Sequence, residues 1–142
     1  MSDYILPEVW QNPTSMGGAW GGLNQPTAGA RFEQTLPKGD QPFQLYTLPT
    51  PNGIKATIML EELKELGVTQ AGYDAYRIKI GDGDQFGSDF VSINPNSKIP
   101  AMMDYSEDQP VRVFESANIL LYLAEKFGKL IPTNHAKRTE VL

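Results

Sequence analysis

The sequence predicts an α/β domain with the element order β-α-β-α-β-β-α, preceded by an irregular arm. Three observations predict it. An apolar-rich run at 43–48 leads through a turn into apolar residues at helical spacing. A stretch of strict alternation follows at 75–80. Two short apolar runs then flank a polar loop and are backed by a final apolar helix. A β-α-β unit followed by a hairpin and a helix is the layout of a thioredoxin-like fold, and its first crossover is expected to be right-handed.

Residues 1–42 form the arm. They hold six of the 13 glycines, five of the 11 prolines and both tryptophans, Trp10 and Trp20. The run from Met16 to Gly22 carries four glycines and cannot sustain a helix. Tyr4, Trp10, Trp20 and Phe32 make the segment too adhesive for a plain linker, so it is expected to lie on the domain surface, pinned by its aromatics.

Residues 43–131 form the domain. Phe43 to Leu48 reads as the first strand and Thr50-Pro51-Asn52-Gly53 as a turn. Ile54, Ile58, Met59, Leu63 and Leu66 lie at helical spacing over 54–66, and Gly67 stops the helix. Tyr76, Ile78 and Ile80 alternate with polar neighbours as a second strand at 75–80. A short helix is expected around Phe86–Ile93. Strands at 100–104 and 110–114 are joined by the loop Tyr105–Gln109. The helix over 116–127 ends at Gly128 and is apolar on nearly every face, so it requires cover on both sides. One side is the sheet; the other calls for a further domain, a second subunit, or both. Residues 132–142 read as a linker and the opening of another helix.

Composition narrows the function. The chain has 142 residues, 12 basic and 17 acidic, for a net charge of −5. That balance argues against a nucleic-acid surface. There is no cysteine, so a disulfide scaffold, a cysteine nucleophile and a resident dithiol are all excluded. Any thiol chemistry must borrow its sulfur from a ligand. One histidine, His135, leaves little for a metal site or a triad, and no metal is expected. Gly81-Asp82-Gly83-Asp84 hints at a calcium loop, but the spacing fails at Phe86. No apolar run is long enough to cross a membrane, and no leader is apparent, so the cytoplasm is the default location.

Three constellations can carry chemistry. Asn94-Pro-Asn-Ser-Lys98-Ile99-Pro100 enters a strand. It reads either as an ordinary turn or as a cis-proline that frees the backbone of Ile99 to pair with a peptide-like ligand. Phe114-Glu115-Ser116 opens the last helix; there Ser116 either merely caps it or, with the helix amides and Glu115, holds an α-amino-acid end. Thr50-Pro51-Asn52-Gly53 gathers a hydroxyl, an amide and helix N–H groups, which either cap the helix through Asn52 or stabilise a thiolate.

Taken together, these motifs resemble the Nu class of glutathione transferases, bacterial and fungal enzymes related to the yeast nitrogen-regulation prion protein. The resemblance rests on Thr50–Leu63, Ile80–Phe86, Asn94–Ala101 and Arg112–Ser116. It is nearest to the subgroup with a long N-terminal arm, here including Gly-Leu-Asn24-Gln-Pro. It implies a glutathione-binding domain in which Thr50 and Asn52 face the glutathione sulfur as catalytic groups. It implies further that Asn24, Pro51, Gln85, Lys98, Ile99, Pro100, Glu115 and Ser116 hold glutathione, with Ile99 pairing to its cysteinyl unit and Glu115 and Ser116 to its γ-glutamyl end. Two glutathiones per site, small disulfides or hydroperoxides as second substrates, and a homodimer also follow from it. Family members continue into an all-helical domain, which this chain is expected to lack.

Two functions from different classes are therefore expected. One is a glutathione-dependent disulfide reductase or transferase, with organic hydroperoxide reduction as a further activity. The alternative is a non-catalytic glutathione-binding or regulatory interaction module. Disulfide turnover separates them.

Overall fold

The computed structural model describes residues 5, 6, 8, 9, 21–24 and 29–142. Four strands form one mixed sheet: β1 (Phe43–Thr47), β2 (Tyr73–Arg77), β3 (Ala101–Asp104) and β4 (Val111–Phe114), in the order β2-β1-β3-β4. β1 runs parallel to β2 and antiparallel to β3, and β3 is antiparallel to β4. The helices are α1 (Pro51–Glu65), α2 (Ser88–Ile93), α3 (Ser116–Phe127) and α4 (His135–Val141). This is the thioredoxin-like arrangement.

The two-residue period of the strands sorts the core. Phe43 and Leu45 of β1, Met102 of β3 and Val113 of β4 face one side. There they meet Ala56, Met59, Leu60 and Leu63 of α1 and Ile119 and Leu123 of α3. Tyr46 of β1 and Ala101 of β3 face the other side, against Phe90 and Ile93 of α2. The register Leu45↔Met102 and Tyr46↔Ala101 keeps the two sets apart. Each fully buried Leu or Phe contributes about 1.5–3 kcal/mol.

Several boundaries differ from the sequence reading. β2 begins at Tyr73 and ends at Arg77, not at 75–80. Ile78 is buried and its N–H donates to the Thr47 carbonyl, but the chain then turns through Ile80–Asp82 and a left-handed Gly83. The alternation of Ile78 and Ile80 thus reflects burial beyond the end of the ladder. α1 starts at Pro51, three residues before its first apolar position, because proline is well suited to the first helical turn.

The described part of the arm is irregular and runs along α2. Its described fastenings include backbone hydrogen bonds and two cations, Arg31 and Lys38, set over the rings of Phe86 and Tyr105. The Arg31 N–H donates to the Phe86 carbonyl and the Ser88 N–H to the Phe32 carbonyl. The Gln34 and Leu36 amides donate to the Ser88 hydroxyl and the Asp89 carboxylate, both at 2.9 Å. Phe32 itself is 44% exposed. Tyr4, Trp10 and Trp20 lie outside the described residues. Gln44, wholly buried in β1, is satisfied by the arm: its Oε1 accepts from the Gly39 N–H at 2.8 Å, while its Nε2 donates to Asp74.

The outer side of α3 is only partly covered. Leu120 and Leu121 line a shallow groove with Met59, Leu130, Ile131 and the end of α4. α4 is capped by Asn134, which accepts from the Lys137 N–H, and Arg138 pairs with Glu125 of α3.

A buried carboxylate latches α3 to the sheet. Asp104, at the end of β3, is fully buried and accepts from the Tyr122 hydroxyl at 2.6 Å and the Ser106 N–H at 2.7 Å. Lys126 stands 3.0 Å from it and also pairs with Glu107. Burial raises the Asp104 pKa, but the hydrogen bonds from Tyr122, Ser106 and Lys126 outweigh it and hold the carboxyl below its ordinary value of 3.8. Burial, with the same contact to Asp104, pushes the Tyr122 hydroxyl up to about 12. A depressed carboxyl stabilises the fold above its unfolded pKa, and that contribution is lost as pH falls through the folded one. Tyr122→Phe should therefore cost about 1–3 kcal/mol at neutral pH. It should also move the onset of acid unfolding to higher pH, read as melting temperature against pH. Asp104→Asn should flatten that acid slope.

Candidate functional site

The site forms where β1 gives way to α1. Thr50 has extended backbone and caps the helix, its Oγ accepting from the Gly53 N–H at 3.1 Å. The cap is thus Thr50 rather than Asn52. The Asn52 carboxamide oxygen instead accepts from Lys55 Nζ at 3.3 Å, on the surface of the first turn. Because the Thr50 oxygen is engaged as an acceptor, its own O–H is left to donate. The proline at the first helical position has no N–H to offer, so the donors at this helix start are the Asn52 amides and the Thr50 hydroxyl.

Gly53 makes the close turn possible. A Cβ at this position would lie 2.1 Å from the Leu48 carbonyl oxygen and 2.5 Å from Thr47 Oγ1. The helix start can therefore sit directly against the end of β1.

Across from it stands the loop 94–100. Asn94 is wholly buried, and its Nδ2 donates to the Lys98 carbonyl at 2.6 Å while its Oδ1 accepts from the Asn96 N–H at 2.9 Å. One side chain thereby fixes the whole loop. The Ile99–Pro100 peptide is cis, and Pro100 is fully buried at the entry to β3.

Thr50, Asn52, Gln85, Lys98 and Ile99 line one cleft of about 320 Å³, together with Leu23, Ile80 and Ser97. Leu23 comes from the arm, and Lys98 Nζ donates to its carbonyl at 3.3 Å. Gln85 is only 2% exposed, and its Oε1 has no hydrogen-bond partner. Ser97 is also 2% exposed with an unpartnered Oγ, and its φ is 52°. The sequence reading quoted Ser97 within its motif but gave it no role. A larger, mostly apolar groove of about 500 Å³ lies between α1 and β2, walled by Ile54, Ile58 and Tyr76, and holds none of the expected side chains.

The other expected residues stand around the cleft rather than on its lining. Pro51 opens α1, exposed beside Asn52. Glu115 occupies the cap position of α3 but makes no side-chain cap bond; Ser116 is the first helical residue and so is not the cap. The Glu115 carboxylate accepts from Asn96 Nδ2 at 3.3 Å, which joins the start of α3 to the loop 94–100. Its backbone, at φ 69° and ψ 123°, is a conformation that side chains seldom adopt. Asn24 ends the helical turn Gly21–Asn24, and its side chain lies outside the described residues.

Chemically, the cleft offers donors at a helix start, a buried amide, a cation and a strand-entry backbone. Among the described residues no metal-holding cluster of acidic or histidine side chains accompanies them. This set suits an extended, polar, anionic ligand carrying its own reactive atom.

Comparison with known proteins gives the same direction. Residues 51–126 match the family described as glutathione S-transferase, N-terminal domain. The chain is 60% identical over 139 residues to the Escherichia coli disulfide-bond oxidoreductase YghU, a match covering 98% of this chain and 48% of that protein. The crystal structure of the glutathione transferase YghU from Streptococcus pneumoniae, complexed with glutathione, superposes with a TM-score of 0.89 and 66% identity. That superposition covers 98% of this chain and 53% of the other. A glutathione transferase family member from Pseudomonas fluorescens, with two glutathiones bound, gives a TM-score of 0.62 and 45% identity over 69% of this chain and 41% of the other. The chain thus spans about half the length of the relatives it matches.

Gly53→Ala should destabilise the chain by roughly 2 kcal/mol or more, because the carbonyl it meets belongs to the backbone and cannot rotate away. Chemical denaturation of the variant beside the parent checks this.

Proposed function

The chain belongs to the glutathione S-transferase family, and we propose that the protein uses bound glutathione to reduce disulfides. The observation that carries this reading is the convergence of Thr50, Asn52, Gln85, Lys98 and Ile99 on one cleft in a chain without cysteine. A cleft walled by residues of a chain with no thiol can take part in thiol exchange through sulfur supplied by its substrate.

The residues divide the work as follows. The Thr50 O–H and the Asn52 amides donate to the glutathione sulfur and favour its thiolate, helped by the positive end of α1. The Ile99 backbone, with Pro100 behind it, pairs with the cysteinyl unit. Gln85 and Lys98 hold the peptide, with Asn24 and Pro51 completing the wall. Glu115 takes the γ-glutamyl ammonium, and Ser116 with the first turn of α3 takes its carboxylate. The thiolate attacks one sulfur of the substrate disulfide. This forms a mixed disulfide and expels the other sulfur as a thiolate that takes up a proton. A second glutathione thiolate then attacks the glutathione sulfur of the mixed disulfide, yielding oxidised glutathione and the second substrate thiol. Two glutathiones bound in a similar protein support room for both partners. Organic hydroperoxides, a homodimer and a cytoplasmic setting belong to the same proposal.

Asn52→Ala should lower kcat for a small organic disulfide by about ten- to hundredfold while changing glutathione affinity much less, since a donor to developing charge acts in the transition state. Steady-state rates paired with calorimetric affinities separate the two effects. Equal turnover would remove Asn52 from the mechanism. Absence of any disulfide turnover in a chain that binds glutathione would favour a non-catalytic module.

A further inference from the structure

We propose that the Ser97 hydroxyl is an additional ligand-binding group of this cleft, donating to a carbonyl or carboxylate oxygen of the bound peptide thiol. The inference rests on the glutathione reading above and adds to it a residue with no role assigned so far.

Ser97 combines three features that a structural role does not explain. It is 2% exposed on the lining of the cleft. Its Oγ is buried without any hydrogen-bond partner, an arrangement that folded proteins avoid. Its φ of 52° is left-handed, a conformation that glycine adopts without penalty and serine does not. Glycine would relieve the backbone and remove the orphaned hydroxyl together. A side chain that costs the fold on both counts, beside a cleft, points to use by a ligand.

The loop around it cannot relax to satisfy the hydroxyl. The Ser97 N–H donates to the Asn94 carbonyl at 3.0 Å, and the buried Asn94 side chain ties Asn96 and Lys98 on either side. The freedom left is rotation about χ1, which swings the oxygen between its buried position and the cleft. Gln85 contributes the complementary half: its unpartnered Oε1, on the same lining, accepts where Ser97 donates. A peptide ligand presents an N–H for the one and an oxygen for the other.

The test is calorimetric titration of the chain with reduced glutathione, alongside melting temperatures, for the parent, Ser97→Gly and Ser97→Ala. Both variants should raise the dissociation constant about five- to tenfold, the loss of one neutral hydrogen bond. Ser97→Gly should melt at or above the parent temperature. Unchanged affinity in both variants would overturn the role of Ser97 and leave the glutathione reading standing. Affinity loss only in a variant whose melting temperature also falls would make Ser97 structural and overturn it equally. A parent that melts cooperatively without binding glutathione would overturn the functional reading and this inference with it.

Discussion

The two-sided pairing of β1 is the constraint on which the rest depends. All five of its residues pair with β2 on one edge and four of them with β3 on the other, and the strand is packed between helices on both faces. Only β3, its neighbour, is likewise paired on both edges and covered on both faces; β2 and β4 are the edges of the sheet. The last residue of β1 therefore has a fixed position, and the chain leaving it reaches Thr50 within three residues. The close approach at Gly53 transmits that position to the first turn of α1. From the other side, β3 pairs with β1 starting at Ala101, directly after Pro100. The two walls of the cleft are thus consecutive with the two most securely placed strands. This is the usual location of a binding site in open α/β sheets.

Much of this was legible from the chain itself. Apolar spacing found α1 and α3, and the run from Phe43 to Leu48 was readable as the first strand. Thr50, Asn52, Gln85, Lys98 and Ile99, which the family resemblance singled out together, line one cavity although separated by up to 49 positions. What escaped were features decided by backbone geometry or by distant partners. Ser97 and Glu115 are side chains in left-handed or unusual backbone, and nothing in their types announces it. The cap of α1 moved to Thr50, because a threonine followed by proline suits a helix start as well as an asparagine two residues later. Asp104 looked like the polar end of a strand, whereas its partners Tyr122 and Lys126 become neighbours only after α3 packs on the sheet. The described residues of the arm are held in part through backbone amides, which sequence composition does not display.

The polar interior is unevenly satisfied. Gln44, Asn94 and Asp104 are each wholly buried and each meets several partners. They serve as internal braces, one for the arm, one for the loop 94–100 and one for α3. Gln85 and Ser97, equally hidden, keep an oxygen without a partner, and both border the cleft. Of the four buried side-chain oxygens without a partner among the described residues, Gln85 Oε1 and Ser97 Oγ thus stand where a ligand can use them, while Gln34 Oε1 and Thr47 Oγ1 do not line the cleft.

Lys98 joins two parts of the molecule that lie 75 positions apart. Its ammonium group reaches the Leu23 carbonyl of the arm, while its own carbonyl is the anchor that Asn94 grips inside the loop. The wall of the cleft contributed by the arm and the wall contributed by the domain therefore share one residue. In evolutionary terms, such sharing removes independence. A lineage that altered this position to reshape the arm would at the same time alter the cationic lining of the cleft. Position 98 thus answers to the arm and to the cleft at once.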